Sequence, residues 1–249
     1  MSKVELFQGD CLELIKDIPD GSVDCIITDP PYMSTMQHNG AMTDFADLEI
    51  MRPFFYQLGS EFDRILTSRG TFYIFCDWKT YHFYFNVFSR MLPVRNMIVW
   101  DKGAGVGNFY THEHEEIIFG TKNKQFASKG ARNIIKSPSF CSGAKKTNGE
   151  KVHPTQKPVE LIELFLSHAT NVGDTVLDCF MGSGTTGVAC VRNNRNFIGM
   201  ELQEKYFEIA KNRIEDEMKK AENHAESEPF WNLTTGENNV GGINFAKKL

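Results

Sequence analysis

The feature that most constrains the fold is an alternation. Short, continuously apolar runs are followed by stretches whose apolar residues recur every three or four positions, and this repeats along most of the chain. Residues 4–8, 23–28, 71–76, 94–100, 115–119, 175–179 and 197–200 read as strands. An unbroken run such as Cys25-Ile26-Ile27 suits a strand buried on both faces. Between them, Leu12, Leu14, Ile15 and Ile18 follow helical spacing. So do Ile50, Phe54, Leu58, Phe62 and Ile65, in a helix that Gly70 is expected to stop. Residues 79–91, the stretch opened by Pro158, 185–193 and 204–219 read as further helices. Strands alternating with helices predict an α/β fold built on a doubly wound, mostly parallel sheet.

In such a sheet, ligands bind outside the C-terminal ends of the strands. Two strands run into distinctive turns there. Asp178-Cys179-Phe180-Met181-Gly182-Ser183-Gly184-Thr185-Thr186 leaves one strand and opens a helix. Glycines allow the tight turn and let the backbone approach a ligand. Glu201 ends the next strand, 17 residues past Gly184, where a carboxylate can accept both hydroxyls of a ribose. The unit reads as a nucleoside-cofactor site, with a purely structural turn as the plainer alternative. It lacks the third glycine of the dinucleotide pattern and the Gly-Lys-Ser/Thr ending of a phosphate loop.

The second turn is Asp29-Pro30-Pro31-Tyr32. Neither proline can donate to a ladder, so the strand must end there. The tetrapeptide offers a carboxylate, uncommitted carbonyls and an aromatic face. A carboxylate and a carbonyl can accept both hydrogens of an exocyclic amine, which turns its lone pair toward an incoming methyl group. Tyr32 can stack on the ring, worth roughly 1–3 kcal/mol per base. A capped Pro-Pro turn explains the same residues equally well in isolation.

Net charge is −5, which argues against binding polyanions over the whole surface. The distribution is uneven. Residues 121–151 hold eight basic residues and one acid, whereas residues 1–63 hold twelve acids and three basic residues. A basic segment on an acidic body suggests a polyanion touching one face. A solvated loop is the alternative.

Taken together, Asp29-Pro30-Pro31-Tyr32 and Phe180-x-Gly182-x-Gly184 resemble the S-adenosylmethionine-dependent amino-methyltransferases of DNA. Gly9-Asp10-Cys11-Leu12, Val99-Trp100-Asp101-Lys102, His114-Glu115 and His153-Pro154-Thr155-Gln156-Lys157-Pro158 also fit that family. The resemblance covers about residues 3–215. The order of motifs, catalytic first and cofactor last, resembles the β group, a circular permutation of the class I methyltransferase sheet. The first strand should then lie beside the late strand that ends at Glu201.

The resemblance implies site roles. Asp29, Pro30, Pro31 and Tyr32 would hold the target amine and base. Asp10, Cys11, Lys157, Asp178, Phe180, Gly182, Ser183, Gly184, Thr185, Thr186 and Glu201 would surround S-adenosylmethionine. The basic residues Lys122, Lys124, Lys129, Arg132, Lys136, Lys145 and Lys146 would contact DNA phosphates from a short target-recognition insert, residues 121–152. The catalytic and cofactor domain would comprise 1–120 and 153–220, with a polar tail at 221–249. Asp at the head of the tetrapeptide leans toward adenine N6; the cytosine-N4 subgroup more often carries Ser there. A non-catalytic DNA-binding subunit of the same fold is the competing class. The partners implied are double-stranded DNA, a second copy of the chain and a cognate restriction endonuclease.

Six cysteines include no C-x-x-C pair and none after a proline. That argues for reduced, buried thiols in a cytoplasmic protein and against a cytosine-C5 enzyme. His112, Glu113, His114, Glu115 and Glu116 look metal-like, but their spacing suits a strand rather than the helical zinc motif, so no metal is expected. No stretch approaches the roughly 20 apolar residues of a membrane helix, and the start Met1-Ser2-Lys3-Val4-Glu5 does not read as a secretory leader.

Overall fold

The structure, a computed structural model, describes residues 2–31, 48–105, 107–122, 130–137 and 156–227. The strands are β1 (Val4–Gln8), β2 (Val23–Thr28), β3 (Leu66–Cys76), β4 (Val94–Asp101), β5 (His114–Thr121), β6 (Ile134–Lys136), β7 (Thr175–Asp178) and β8 (Asn196–Glu201). They form one sheet in the order β1-β8-β7-β2-β3-β5-β4-β6. All pairings are parallel except the two made by β5. The α/β, mostly parallel sheet is therefore as expected, and β1 lies against β8, with Gln8 opposite Glu201.

Helices cover both faces. On one side lie α1 (Cys11–Leu14), α2 (Arg52–Ile65) and α3 (Tyr81–Phe88); on the other lie α4 (Val159–Ala169), α5 (Thr185–Arg192) and α6 (Glu204–Ser227). Successive strand side chains point to opposite faces, so one apolar strand feeds two cores. Ile26, Phe72 and Ile74 pack with Phe55, Phe62 and Phe88, whereas Ile27, Tyr73 and Phe75 pack with Phe165 and Ile162. Tyr73 stacks on Phe165 at 4.4 Å. Burying one such side chain contributes about 1.5–3 kcal/mol. In α3 it is Phe83, Tyr84, Val87 and Phe88 that are buried, whereas Phe85 is 41% exposed.

Three elements differ from expectation. Gly70 does not stop α2; the helix ends at Ile65, and Leu66 turns extended to pair with Val23. Tertiary pairing of buried Leu66 outweighs the local glycine signal, and Gly70 lies inside β3. Strand β6 lies in a stretch read as irregular. It is only three residues long and joins the edge of β4, where Ile135 is buried and the Trp100 indole donates to the Ser137 carbonyl at 2.6 Å. Helix α6 runs past Lys219 to Ser227.

The antiparallel β5 decides what gathers at each edge. Its first residues, His114 to Glu116, stand beside Asp101 and Cys76, at the edge where β2 and β7 deliver Asp29 and Asp178. Its last residues lie at the opposite edge.

Candidate active site

The two motifs meet in one crevice at the C-terminal edge of β2 and β7. A cleft open to solvent is lined by Thr28, Asp29, Phe75, Lys157, Asp178, Phe180, Gly182, Ser183, Thr185, Thr186 and Tyr206, among others.

On the β7 side, the glycine turn is shaped by Asp178. Its carboxylate is buried and accepts from the Thr28 hydroxyl (3.0 Å), the Phe180 amide (3.1 Å) and the Thr186 hydroxyl (2.7 Å). Burial pushes its pKa up to about 7, against the opposing pull of these donors. Gly184 has a left-handed φ of 78° and begins α5; a Cβ there would lie 2.9 Å from that of Ala210. Only glycine meets both demands. At the end of β8, the Glu201 carboxylate accepts from the Gly182 amide at 3.0 Å and the Gln203 amide at 2.9 Å. A carboxylate has about four lone-pair sites, so these two bonds leave acceptor capacity for ligand hydroxyls. The Arg213 guanidinium donates to the Ser183 carbonyl and braces the turn from α6.

On the β2 side, Asp29 is held by a lysine 128 residues away. Lys157 Nζ lies 2.6 Å from Asp29 Oδ2 and 3.1 Å from Glu115 Oε2, and 5.1 Å from the Phe75 ring centre. Lys102 adds a second cation 3.4 Å from Glu115. The Lys157 side chain is only 9% exposed. Burial works against its charge, but Asp29 and Glu115 outweigh that and raise its pKa above the ordinary lysine value. Burial likewise pushes the Glu115 carboxyl up, and Lys157 and Lys102 pull it below the usual carboxylate range. The four groups form a chain of alternating charge that sets the Lys157 ammonium directly on the Asp29 carboxylate at the lip of the cleft.

The proline turn is anchored from below. The buried Tyr84 hydroxyl of α3 donates to the Pro31 carbonyl at 2.6 Å.

The DNA methylase family model for N6 and N4 methyltransferases matches residues 23–212. The chain belongs to the N6/N4 DNA methylase family. Type II methyltransferase M.HpaI of Haemophilus parainfluenzae is 30% identical over 234 residues, spanning 85% of this chain and 74% of that one. The crystal structure of the M1.HpyAVI–SAM complex superimposes with a TM-score of 0.65 at 30% identity, covering 85% of this chain and 98% of the other. The cytosine-N4-specific PvuII DNA methyltransferase, at 19% identity and a TM-score of 0.66, shares the fold over 90% of this chain and 94% of its own.

For this DNA methylase, several of the residues singled out from sequence converge. Asp29, Lys157, Asp178, Phe180, Gly182, Ser183, Thr185 and Thr186 all line one cleft; Gly184 and Glu201 are not among its lining residues, but Gly184 lies within the turn and Glu201 is hydrogen-bonded to Gly182. Asp10 and Cys11 are not among its lining residues. Asp10 caps α1 by accepting from the Leu12 amide at 2.9 Å, next to the Gly9–Glu201 backbone contact, and Cys11 is packed in the core. The five described cysteines are buried free thiols whose pKa values burial raises.

The basic segment divides. Lys122 is not brought to the Asp29 edge. It follows β5 at the edge opposite Asp29, and its ammonium is bound to the Asp63 carboxylate (2.8 Å) and carbonyl (2.6 Å). The antiparallel run of β5, which sequence patterning did not reveal, puts it there. Lys136 ends β6 on the Asp29 edge with its side chain 84% exposed, and Arg132 is exposed just before β6. Tyr32, Lys124, Lys129, Lys145 and Lys146 lie outside the described residues, as does the 153–155 part of the Lys157 motif. Among the described residues, no helix is long and apolar enough to cross a membrane.

Sequence reading did not give Tyr84 or Tyr206 a role at the site. Glu115 belongs to a strand segment that fits the family pattern, but the sequence assigns it no role at the site. Its neighbours in sequence go elsewhere: His114 pairs with Glu116 at 3.2 Å on the opposite face, and His112 stacks on Trp78.

Proposed function

We propose that the protein transfers a methyl group from S-adenosylmethionine to the N6 amine of adenine in double-stranded DNA. The observation that carries this is the single cleft shared by Asp29 and the glycine turn. A cofactor lying against the turn and an amine held by Asp29 would be neighbours there. When bound, S-adenosylmethionine supplies an electrophilic methyl group on a sulfonium.

The chain's own residues do the rest. Glu201 accepts from the ribose hydroxyls, and the glycine turn takes the close approach of the ligand. The target base must leave the stack to reach the cleft, at a cost of a few kcal/mol. Asp29 and the Pro30 carbonyl accept the two amine hydrogens, while Tyr84 occupies the Pro31 carbonyl. Tyr32 stacks on the base. With the Lys157 ammonium on it, Asp29 works as an aligned acceptor more than as a strong base: the methyl carbon passes from sulfur to the amine nitrogen, and the amine then releases one proton to Asp29 or solvent. Alignment and fixed charge then supply much of the rate. Arg132 and Lys136, with Lys124, Lys129, Lys145 and Lys146, contact phosphates, which position the duplex without encoding sequence.

The same reading takes residues 1–120 and 153–220 as the catalytic part, 121–152 as the target-recognition insert, and 221–249 as a polar tail. It takes the chain as the permuted β-group arrangement, because β1 closes onto β8. It also includes a homodimer, a cognate restriction endonuclease and a cytoplasmic site in a bacterial or phage-infected cell.

The test is to incubate the protein and Asp29→Ala with unmethylated DNA and labelled S-adenosylmethionine, digest the DNA, and analyse the nucleosides. N6-methyladenine from the wild type alone is expected. N4-methylcytosine would move the target to cytosine, and unlabelled DNA despite cofactor binding would overturn the reading.

A further inference from the structure

Beyond the sheet edge that carries Asp29, the chain between β4 and β5 continues as a narrow ribbon. The Lys102 amide donates to the Glu113 carbonyl at 2.7 Å, extending the β4–β5 ladder past Asp101 and His114. The Asp101 carboxylate accepts from the Gly103 amide at 2.9 Å. A Cβ on Gly105 would lie 2.4 Å from the His112 carbonyl oxygen, and one on Gly107 would lie 2.0 Å from that of Tyr110. Glycine is therefore required for the two limbs to close, and they close on a tip formed by Gly107, Asn108, Phe109 and Tyr110. The exposed Trp78, just after β3, stacks on His112 with ring centres 6.3 Å apart and planes 9° apart, bracing one limb.

The tip presents two large aromatic side chains to solvent. Phe109 is 98% exposed and Tyr110 is 89% exposed, more than any other large hydrophobic residue described. Leaving such side chains in water forgoes the stabilisation that burying their apolar area would give. A braced, glycine-closed hairpin that holds them out is a presentation device. Its position is specific. Glu115, which touches Lys157 on Asp29, is five residues from Tyr110, so the two are at most about 17 Å apart even on fully extended chain. The tip thus projects from the edge where a substrate must approach, with exposed Lys136 on neighbouring β6.

We propose that Phe109 and Tyr110 form an intercalating wedge that enters the DNA stack beside the target pair and holds the target base out. Extruding a base leaves a gap flanked by flat apolar faces, and aromatic side chains stack on any base regardless of sequence. This inference rests on the base-flipping reading above.

The test uses a synthetic duplex carrying the methylated site, in two forms: fully paired, and with an abasic site opposite the target base. Wild type, Phe109→Ala and the Phe109→Ala/Tyr110→Ala double variant are compared for methyl transfer, with cofactor binding measured by calorimetry as the control for folding. The double variant is expected to lose 10- to 100-fold in kcat/KM on the paired duplex and less than threefold on the abasic one. Equal losses on both duplexes, or no loss on the paired one, would overturn the wedge. A second measurement needs no variant: an iodinated pyrimidine at or next to the target pair is photo-crosslinked to the wild type. Crosslinks at Phe109 or Tyr110 support the proposal; crosslinks only elsewhere, or association of the tips between two protein copies without DNA contact, refute it. Failure of the wild type to methylate either duplex would instead sink the underlying methyltransferase reading.

Discussion

The Lys157 ammonium sits 2.6 Å from an Asp29 carboxylate oxygen and 3.1 Å from Glu115, so the cation bridges two carboxylates at the mouth of the cleft. Removing it leaves both acids facing each other, partly buried. Breaking a buried ion pair from one side costs about 3–5 kcal/mol. Lys157→Met is therefore expected to lower the denaturation midpoint and to reduce methyl transfer by more than ~100-fold. Without the cation, the Asp29 pKa rises. The acid limb of the variant's residual rate should then lie at higher pH than in the wild type, which a kcat–pH profile will show. An unmoved acid limb would mean that Lys157 does not act through Asp29.

Tyr84 reaches the Pro31 carbonyl from α3 without lining the cleft itself. In Tyr84→Phe that carbonyl loses its described donor. A stability loss of about 1–2 kcal/mol is expected. The proline turn should loosen, so kcat should fall roughly tenfold, because small misplacements of an aligned group are costly. The cofactor Kd should stay within twofold by calorimetry. Parallel losses in kcat and cofactor affinity would point to general unfolding instead.

Asp178 gives a signed pH dependence. Its folded pKa of about 7 lies above its unfolded value near 3.8. The folded state therefore holds the proton more tightly, and this group's contribution is present below pH ~4 and lost as pH rises toward 7. Asp178→Asn removes the titration. Between pH 4 and 7, the wild-type midpoint should fall relative to that of the variant. Equivalent midpoint curves from thermal melts would contradict the burial argument.

The divided basic segment predicts divided effects. Lys136→Ala should weaken duplex binding and flatten its salt dependence by about one phosphate contact. Lys122→Ala should leave both unchanged, since its ammonium is turned to the Asp63 carboxylate and carbonyl at the opposite edge. Binding isotherms at several salt concentrations separate the two.

Much of this protein is determined locally. Cys25-Ile26-Ile27 is apolar on both faces, so it must lie inside a sheet with helices on both sides, as it does. Gly184 opens a helix from a left-handed turn, a geometry few other residues adopt, so the cofactor-type turn is written in the residue itself. Pro30 and Pro31 end their strand wherever it lies. Such features depend on backbone sterics and on periodicity, and both are properties of neighbours in the chain. What only the tertiary structure decided depends on strand order and direction. Leu66 leaves helical conformation because Val23 is beside it, overriding the nearby glycine. Lys157 meets Asp29 because Gln156 and Lys157, just before α4, line the same cleft as the end of β2, bringing together residues 128 positions apart. The antiparallel sense of β5 sends Glu115 to the catalytic edge and Lys122 to the opposite one. Direction and pairing are set by the summed packing of whole elements, and no single segment carries that information.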